Sequence, residues 1–417
     1  MRQLITTLVA GALLAGCSYS DRPQAASAPA ASVEAVHERA LVLDAHADIV
    51  IPGVPNPYVG PDGLSKIHPS KLAAGKVDAV VMAVAVPPGP RTDEGDAAAR
   101  AEADLKLATI LDLADSSDAL AIARTADDVQ SIAASGQTAV IIGFQNARAL
   151  QGEIANIDRF YVSGVRVFGL NHIGHNEFAD SSRPVFDGET FTYEPDEEHG
   201  GLSALGFAAI QRINALGGII DVSQSSKATT LQAIDLSTAP VIATHSNARG
   251  LSDVSRNLSD EELDALAAKG GVINIAVFAA YLVDYSDEAL LGAIRNLRQA
   301  TGLPEEYSYP YELYWEIDDL EKRGAFLMAM RDIIGTGSVE LLVDHVDYVA
   351  QRIGIDHVGI GSDFNHGGGI DGFTDASEAS NVTAELIKRG YSADDIAKIW
   401  GGNFLRVMRA AEAGAAR

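Results

Sequence analysis

The chain has 417 residues, 47% of them apolar, which suits a single α/β barrel with insertions and a sizeable buried core. Acidic residues outnumber basic ones 57 to 31, a formal charge of −26 at pH 7, and this balance excludes nucleic acid as a partner because phosphates need a basic footprint. The single cysteine excludes an internal disulfide and any multi-thiolate metal site.

In chain order, Met1-Arg2-Gln3 forms a short positive start to the apolar run Leu4 to Leu14, which is too short to span a bilayer and has the form of a signal peptide. The run ends in Leu14-Ala15-Gly16-Cys17, which resembles the lipobox of bacterial lipoproteins, so Cys17 is the expected lipidation site and mature N-terminus. Ser18 follows; by resemblance to known sorting rules, the absence of aspartate there points to the outer membrane. The expected location is the bacterial cell envelope, on a lipid anchor facing the periplasm. Residues 18 to 33 are rich in Ala, Ser and Pro and form a flexible tether. One folded domain over 34 to 414 then accounts for the rest.

Eight strand-like apolar runs follow: LVLDA (41–45), DAVVMAVAV (78–86), TAVIIGF (138–144), GVRVFGL (164–170), GGIIDV (217–222), APVIATH (239–245), GGVINIAVF (270–278) and HVGIGSD (357–363). Helical patterns separate them, among them 93–114, 204–217 and SDEELDALAAKG (259–270), the last with a serine cap, an acidic first turn and a terminal glycine. Near-continuous apolar strands between helices imply a parallel sheet buried on both faces. Their number predicts a (β/α)8 TIM barrel, with the stretch 279–340 as an insertion before the last strand. A doubly wound open sheet remains the alternative, since strand count does not show closure.

In a barrel, function gathers at the C-terminal ends of the strands. Those ends carry His46 and Asp48, then Gln145 and Asn146, then Asn171, His172 and His175. Ser223 and Gln224 come next, then His245 and Ser246, and last Asp363 and Asn365. His46 and Asp48 are two residues apart and so share one side of a strand, which makes them half of a metal site.

The chain resembles the membrane (renal-type) dipeptidases, peptidase family M19, among the amidohydrolase-like metal-dependent TIM barrels. The resemblance runs from about residue 37 to 412. It is carried in order by LVLDAHADI, GVRVFGLNHIGHNEFADSS, GLSALGFAAIQRINALGGIIDVS, APVIATHSNARGLSDVSRNLSDEEL, HVGIGSDF and IWGGNFLRVM. It implies two zinc ions held by a His-x-Asp pair, a bridging glutamate and two later histidines. His46 and Asp48 match the pair and His245 matches one histidine. Gln145 stands where the glutamate belongs, and Gln224 where the other histidine belongs. A neutral amide oxygen is a poor substitute for a bridging carboxylate or an imidazole, and the amide nitrogen repels cations. One divalent ion, zinc or another, is therefore expected rather than two. The resemblance further makes Asp363 the proton-shuttling aspartate or a metal ligand, His172 the residue that polarises the scissile carbonyl, and Arg256 the clamp for a free substrate carboxylate. His175, Glu177 and Asp180 share the His172 loop and either line the pocket or order the loop. His366 is a candidate substitute ligand.

The function implied is metal-dependent hydrolysis of dipeptides or related small amides with a free carboxylate, in a protein compatible with homo-oligomeric assembly. Two other readings stay open at this level: a lipoprotein that binds small peptides without cleaving them, and a one-metal or metal-free isomerase or tautomerase.

Overall fold

Each of the eight apolar runs contributes a strand to one parallel sheet. The computed structural model describes residues 32–187, 192–303, 317 and 319–415. The leader with Cys17, the tether up to residue 31, and the EEYSYPYELYWE segment lie outside the described residues. The barrel strands are β1 (Leu43–Asp48), β2 (Ala79–Ala85), β3 (Thr138–Gln145), β4 (Val165–Gly169), β5 (Ile219–Asp221), β6 (Ile242–Ala243), β7 (Val272–Ala276) and β8 (Val358–Gly361), each pairing in parallel with the next in sequence.

The ends of this series meet. Ala47 bridges Phe364 in parallel, with Asp48 N donating to Phe364 O at 2.9 Å and Asp363 N donating to His46 O at 2.9 Å. Below that bridge, the Asp44 carboxylate spans the seam by accepting from Ser362 N at 2.7 Å and Ser362 Oγ at 2.5 Å. The sheet is thus a nearly closed (β/α)8 barrel rather than an open doubly wound one.

Alternation along the strands accounts for burial on both faces. Val80, Met82, Val140, Ile142 and Phe144 pack outward against helix residues such as Leu107, Phe160, Ile210 and Val346. Leu43, Ala45, Val81, Ile141, Ile219 and Val272 form a second cluster with Phe404, Leu405 and Met408. That C-terminal helix, Asn403–Gly414, is tied to the strands' N-terminal side, where Arg406 donates to Gly270 O at 2.6 Å and Glu412 accepts from Ala126 N at 2.8 Å. One end of the barrel is therefore plugged, and the chemistry is left to the other.

The helices start and stop on local signals. Ser203 caps Gly206 N, and Gly217, at φ 79°, ends Ala204–Leu216 in the left-handed region. Ser259 and Glu262 form the capping box of Asp260–Ala268. A short strand outside the eight runs, Leu120–Ile122, pairs with Thr138–Val140, the part of β3 that lies ahead of where β4 begins to pair. The insertion contributes helices Ala279–Leu282, Glu288–Thr301 and Leu320–Ile334 and its own apolar cluster, including Tyr281, Ile294, Phe326 and Met330. Val339–Ile353 then returns to the barrel wall through Leu342, Val346 and Val349.

Candidate active site

The last residue of β1, Asp48, and its neighbour His46 project from one strand, and Gln145 is the last residue of β3. His172, Gln224, His245 and Asp363 each lie within three residues of the end of β4, β5, β6 and β8. All seven side chains are buried. Several turns that aim them use unusual backbone: Asn146 (φ 85°), Gln224 (67°), Asp363 (57°) and Asn365 (64°) are four of the six non-glycine residues with positive φ among those described. Such conformations cost energy and concentrate at functional sites.

The rings of His46 and His245 stack with centroids 3.7 Å apart and planes 23° from parallel. With Asp363 they bring three possible ligand atoms within 4.8 Å of one another. Asp48 Oδ1 lies 3.5 Å from His46 Nε2 and, among the described residues, makes no hydrogen bond although it is buried. Its other oxygen accepts from His366 Nδ1 at 2.7 Å. Two imidazoles and two carboxylates, one of them with an orphaned oxygen, form a donor set that fits a divalent cation, because a buried carboxylate oxygen without a partner is otherwise costly.

A layer behind this set fixes the imidazoles. Thr244 Oγ1 donates to Asp221 Oδ2 at 2.5 Å, so that oxygen must accept from the ring nitrogens facing it, His245 Nδ1 at 2.8 Å and His46 Nδ1 at 3.3 Å. In their neutral form both rings therefore keep Nε2 unprotonated and turned to the centre, the form that ligates metal. Burial pulls the His46 ring down, but Asp48, Asp363 and Asp221 outweigh burial and raise it. Burial pushes Asp48 up, and the contacts with His366 and His46 reverse this and hold it well below the usual carboxylate range. At Asp363 burial outweighs the lowering by His366, His46 and Arg256, and its carboxyl stays raised. His245 and His172 are driven well below the usual histidine value, mainly by burial, so both are neutral at pH 7.

The other half of the ring is built differently. Gln145 Nε2 and Gln224 Nε2 each lie 3.3 Å from His245 Nε2. The Gln224 oxygen accepts from Arg183 Nη2, and Arg183 Nη1 donates to the Tyr281 hydroxyl at 3.1 Å. His172 Nδ1 is buried without a hydrogen bond among the described residues, and its ring meets His366 edge-on at 5.0 Å. Arg256 is also buried: Nη1 donates to Ser246 Oγ at 2.7 Å, Nη2 to the His245 carbonyl, and the guanidinium faces the Tyr281 ring at 5.4 Å. Beside Asp48 and His366 opens a cavity of about 240 Å³, lined also by Asn56, Tyr58, Glu102 and Lys106.

The remaining residues of the His172 loop order it. His175 bonds to Pro195 O at 2.7 Å and accepts from Ser181 N at 3.0 Å, while Asp180 accepts from the backbone of Glu198, His199 and Gly201. Glu177 lies 3.6 Å from Arg91. Arg183 and Tyr281 carry no recognisable signal in the sequence. Arg183 follows a Ser-Ser pair in a loop, and Tyr281 belongs to the insertion, where apolar spacing is all that can be read.

The family model described as Membrane dipeptidase (Peptidase family M19) matches residues 30–417. Dipeptidase tcpJ of Claviceps purpurea is 32% identical over 300 residues, covering 71% of this chain and 56% of that protein. Dipeptidase verJ of Clonostachys rogersoniana is 31% identical over 300 residues, covering 71% of this chain and 61% of its own. The chain thus spans little more than half the length of these curated relatives. Among solved structures, the probable dipeptidase PvdM from Pseudomonas aeruginosa superposes with a TM-score of 0.81 at 36% identity, covering 92% of this chain and 98% of the other.

Proposed function

The chain belongs to the membrane dipeptidase family, peptidase family M19, and on that premise we propose that it hydrolyses dipeptides or related small amides bearing a free carboxylate. The observation that carries this reading is the buried, unsatisfied Asp48 Oδ1 converging with His46, His245 and Asp363. His46, Asp48 and His245 would hold one divalent cation, zinc or an ion of similar preference, which when bound supplies an activated water and polarises a carbonyl oxygen. Asp363, raised by burial, is suited to take a proton from the attacking water and return it to the leaving nitrogen. His172, neutral and with Nδ1 unengaged among the described residues, offers a hydrogen bond to the carbonyl oxygen as negative charge develops there. Arg256 supplies positive charge for a substrate carboxylate from directly behind His245 and Ser246.

We also propose that the protein is an outer-membrane lipoprotein, anchored through Cys17 and tethered by residues 18–33. Leu14-Ala15-Gly16-Cys17 and Ser18 support this.

Elemental analysis of the purified protein, paired with a dipeptide panel, tests the catalytic reading. The expected result is about one divalent ion per chain and turnover that disappears on chelation. Protein that binds no metal and cleaves nothing in the panel would sink it.

A further inference from the structure

Building on the one-cation reading, we infer that Arg183 is the positioning residue that closes the second cation position by locking the Gln224 amide with its nitrogen inward. A guanidinium has only N–H donors. Arg183 Nη2 contacts Gln224 at the amide oxygen, and Arg183 Nη1 is committed to Tyr281 OH at 3.1 Å. If the Gln224 amide turned over, its NH2 would face the guanidinium and two donors would meet. The amide therefore presents Nε2 to the centre, where it lies 3.3 Å from His245 Nε2.

That ring nitrogen carries a lone pair, because Thr244 fixes the proton on Nδ1. With two amide nitrogens turned toward it, the space beside that nitrogen offers a second ion donors rather than ligands. Gln145 offers a second NH2 at 3.3 Å, but among the described residues no guanidinium faces its oxygen, so it can turn without a donor clash at Arg183. Arg183 and Gln224 are buried, so water is not at hand to relieve a clash between them. The guanidinium also places a fixed positive charge one amide away from His245, which opposes a second cation there.

The same logic applies to histidine at position 224. Beside a donor-only partner, its near nitrogen must accept and its far nitrogen must carry the proton, so it cannot ligate. Restoring the family's ligand types at 145 and 224 is thus insufficient while Arg183 remains.

The test uses the full chain, titrated with zinc and with cobalt, reading metal stoichiometry and the cobalt absorption spectrum. Wild type, the Gln145→Glu/Gln224→His double variant and the same double variant carrying Arg183→Met are compared. The expected outcome is about one ion for wild type and the double variant, and about two for the triple variant. A double variant that takes up two ions overturns the inference, as does a folded triple variant that still takes up one. Wild-type stoichiometry of zero or two would instead defeat the one-cation reading, so the two failures are distinguishable. Should the triple variant not fold, Arg183→Met alone decides: freeing Gln224 to turn its oxygen inward should tighten cobalt binding about tenfold and alter its spectrum. Arg183→Lys, another donor-only group, should leave both unchanged. Unchanged affinity in folded Arg183→Met would overturn the proposal.

Discussion

Two arcs of the same ring of strand ends are wired oppositely. Along the β1–β8 seam, His46, Asp48 and Asp363 bring carboxylates to the centre, and Asp48 Oδ1 has no hydrogen bond among the described residues. Across the barrel, at the ends of β3 and β5, Gln145 and Gln224 turn amide nitrogens toward His245, with the Arg183 guanidinium behind Gln224. One arc leaves negative charge unsatisfied and the other satisfies itself with neutral and cationic donors. A ring of strand-end side chains can therefore differ in hydrogen-bonding sense from one arc to the other while keeping its packing, because an amide occupies the space of a carboxylate and reverses part of that sense.

The comparison can be broken from the carboxylate side. Asp363→Asn makes that arc resemble the other and removes the proposed proton carrier. We expect kcat/KM on a cleaved dipeptide to fall by roughly 10³–10⁴-fold. A loss of less than about tenfold would remove Asp363 from the reaction.

A smaller effect concerns what holds that arc in place. Asp44 accepts from Ser362 N and Ser362 Oγ across the seam and from His46 N within its own strand. Asp44→Ala leaves buried donors without partners and should destabilise the metal-free protein by about 3 kcal/mol in urea unfolding. An unchanged midpoint would mean the seam is held by the backbone bridge alone.

The opposite arc is sharpened through pH. His345, on the helix after the insertion, accepts from Ala248 N at 3.1 Å and donates to Leu282 O at 3.2 Å, and so ties the loop carrying Arg256 to the insertion. Burial brings its ring from 6.5 down to about 4, against the Leu282 contact, which raises it. Between those values the unfolded chain binds a proton that the native chain refuses. Stability should therefore be present above pH 6.5 and decline as pH falls toward 4, by up to about 3 kcal/mol. His345→Gln should flatten that part of the pH–stability curve relative to wild type; an equal slope in both would assign the effect to other groups.

Much of this was legible in the chain itself. Strand runs such as DAVVMAVAV and TAVIIGF reveal themselves because a parallel strand buried on both faces must be apolar at every position. His46 and Asp48 were readable as a pair because strand geometry makes the i,i+2 relation spatial. His172, His245 and Asp363 were findable because a barrel gathers its strand ends at one rim. The short Leu120–Ile122 strand was not, since three residues carry too little periodicity to separate strand from loop.

What the sequence determined by itself was the order of the elements, the identity of the groups at the strand ends, and the chemical difference that glutamine makes at positions 145 and 224. Only the tertiary structure decided which way those amides face. An amide's two ends are nearly equal in shape, and its orientation depends on which donors surround it. For Gln224 that donor is Arg183, forty-one residues earlier in the chain and buried against it by the fold. Hydrogen-bond sense at this centre is a property of the packed barrel, and no local stretch of residues encodes it.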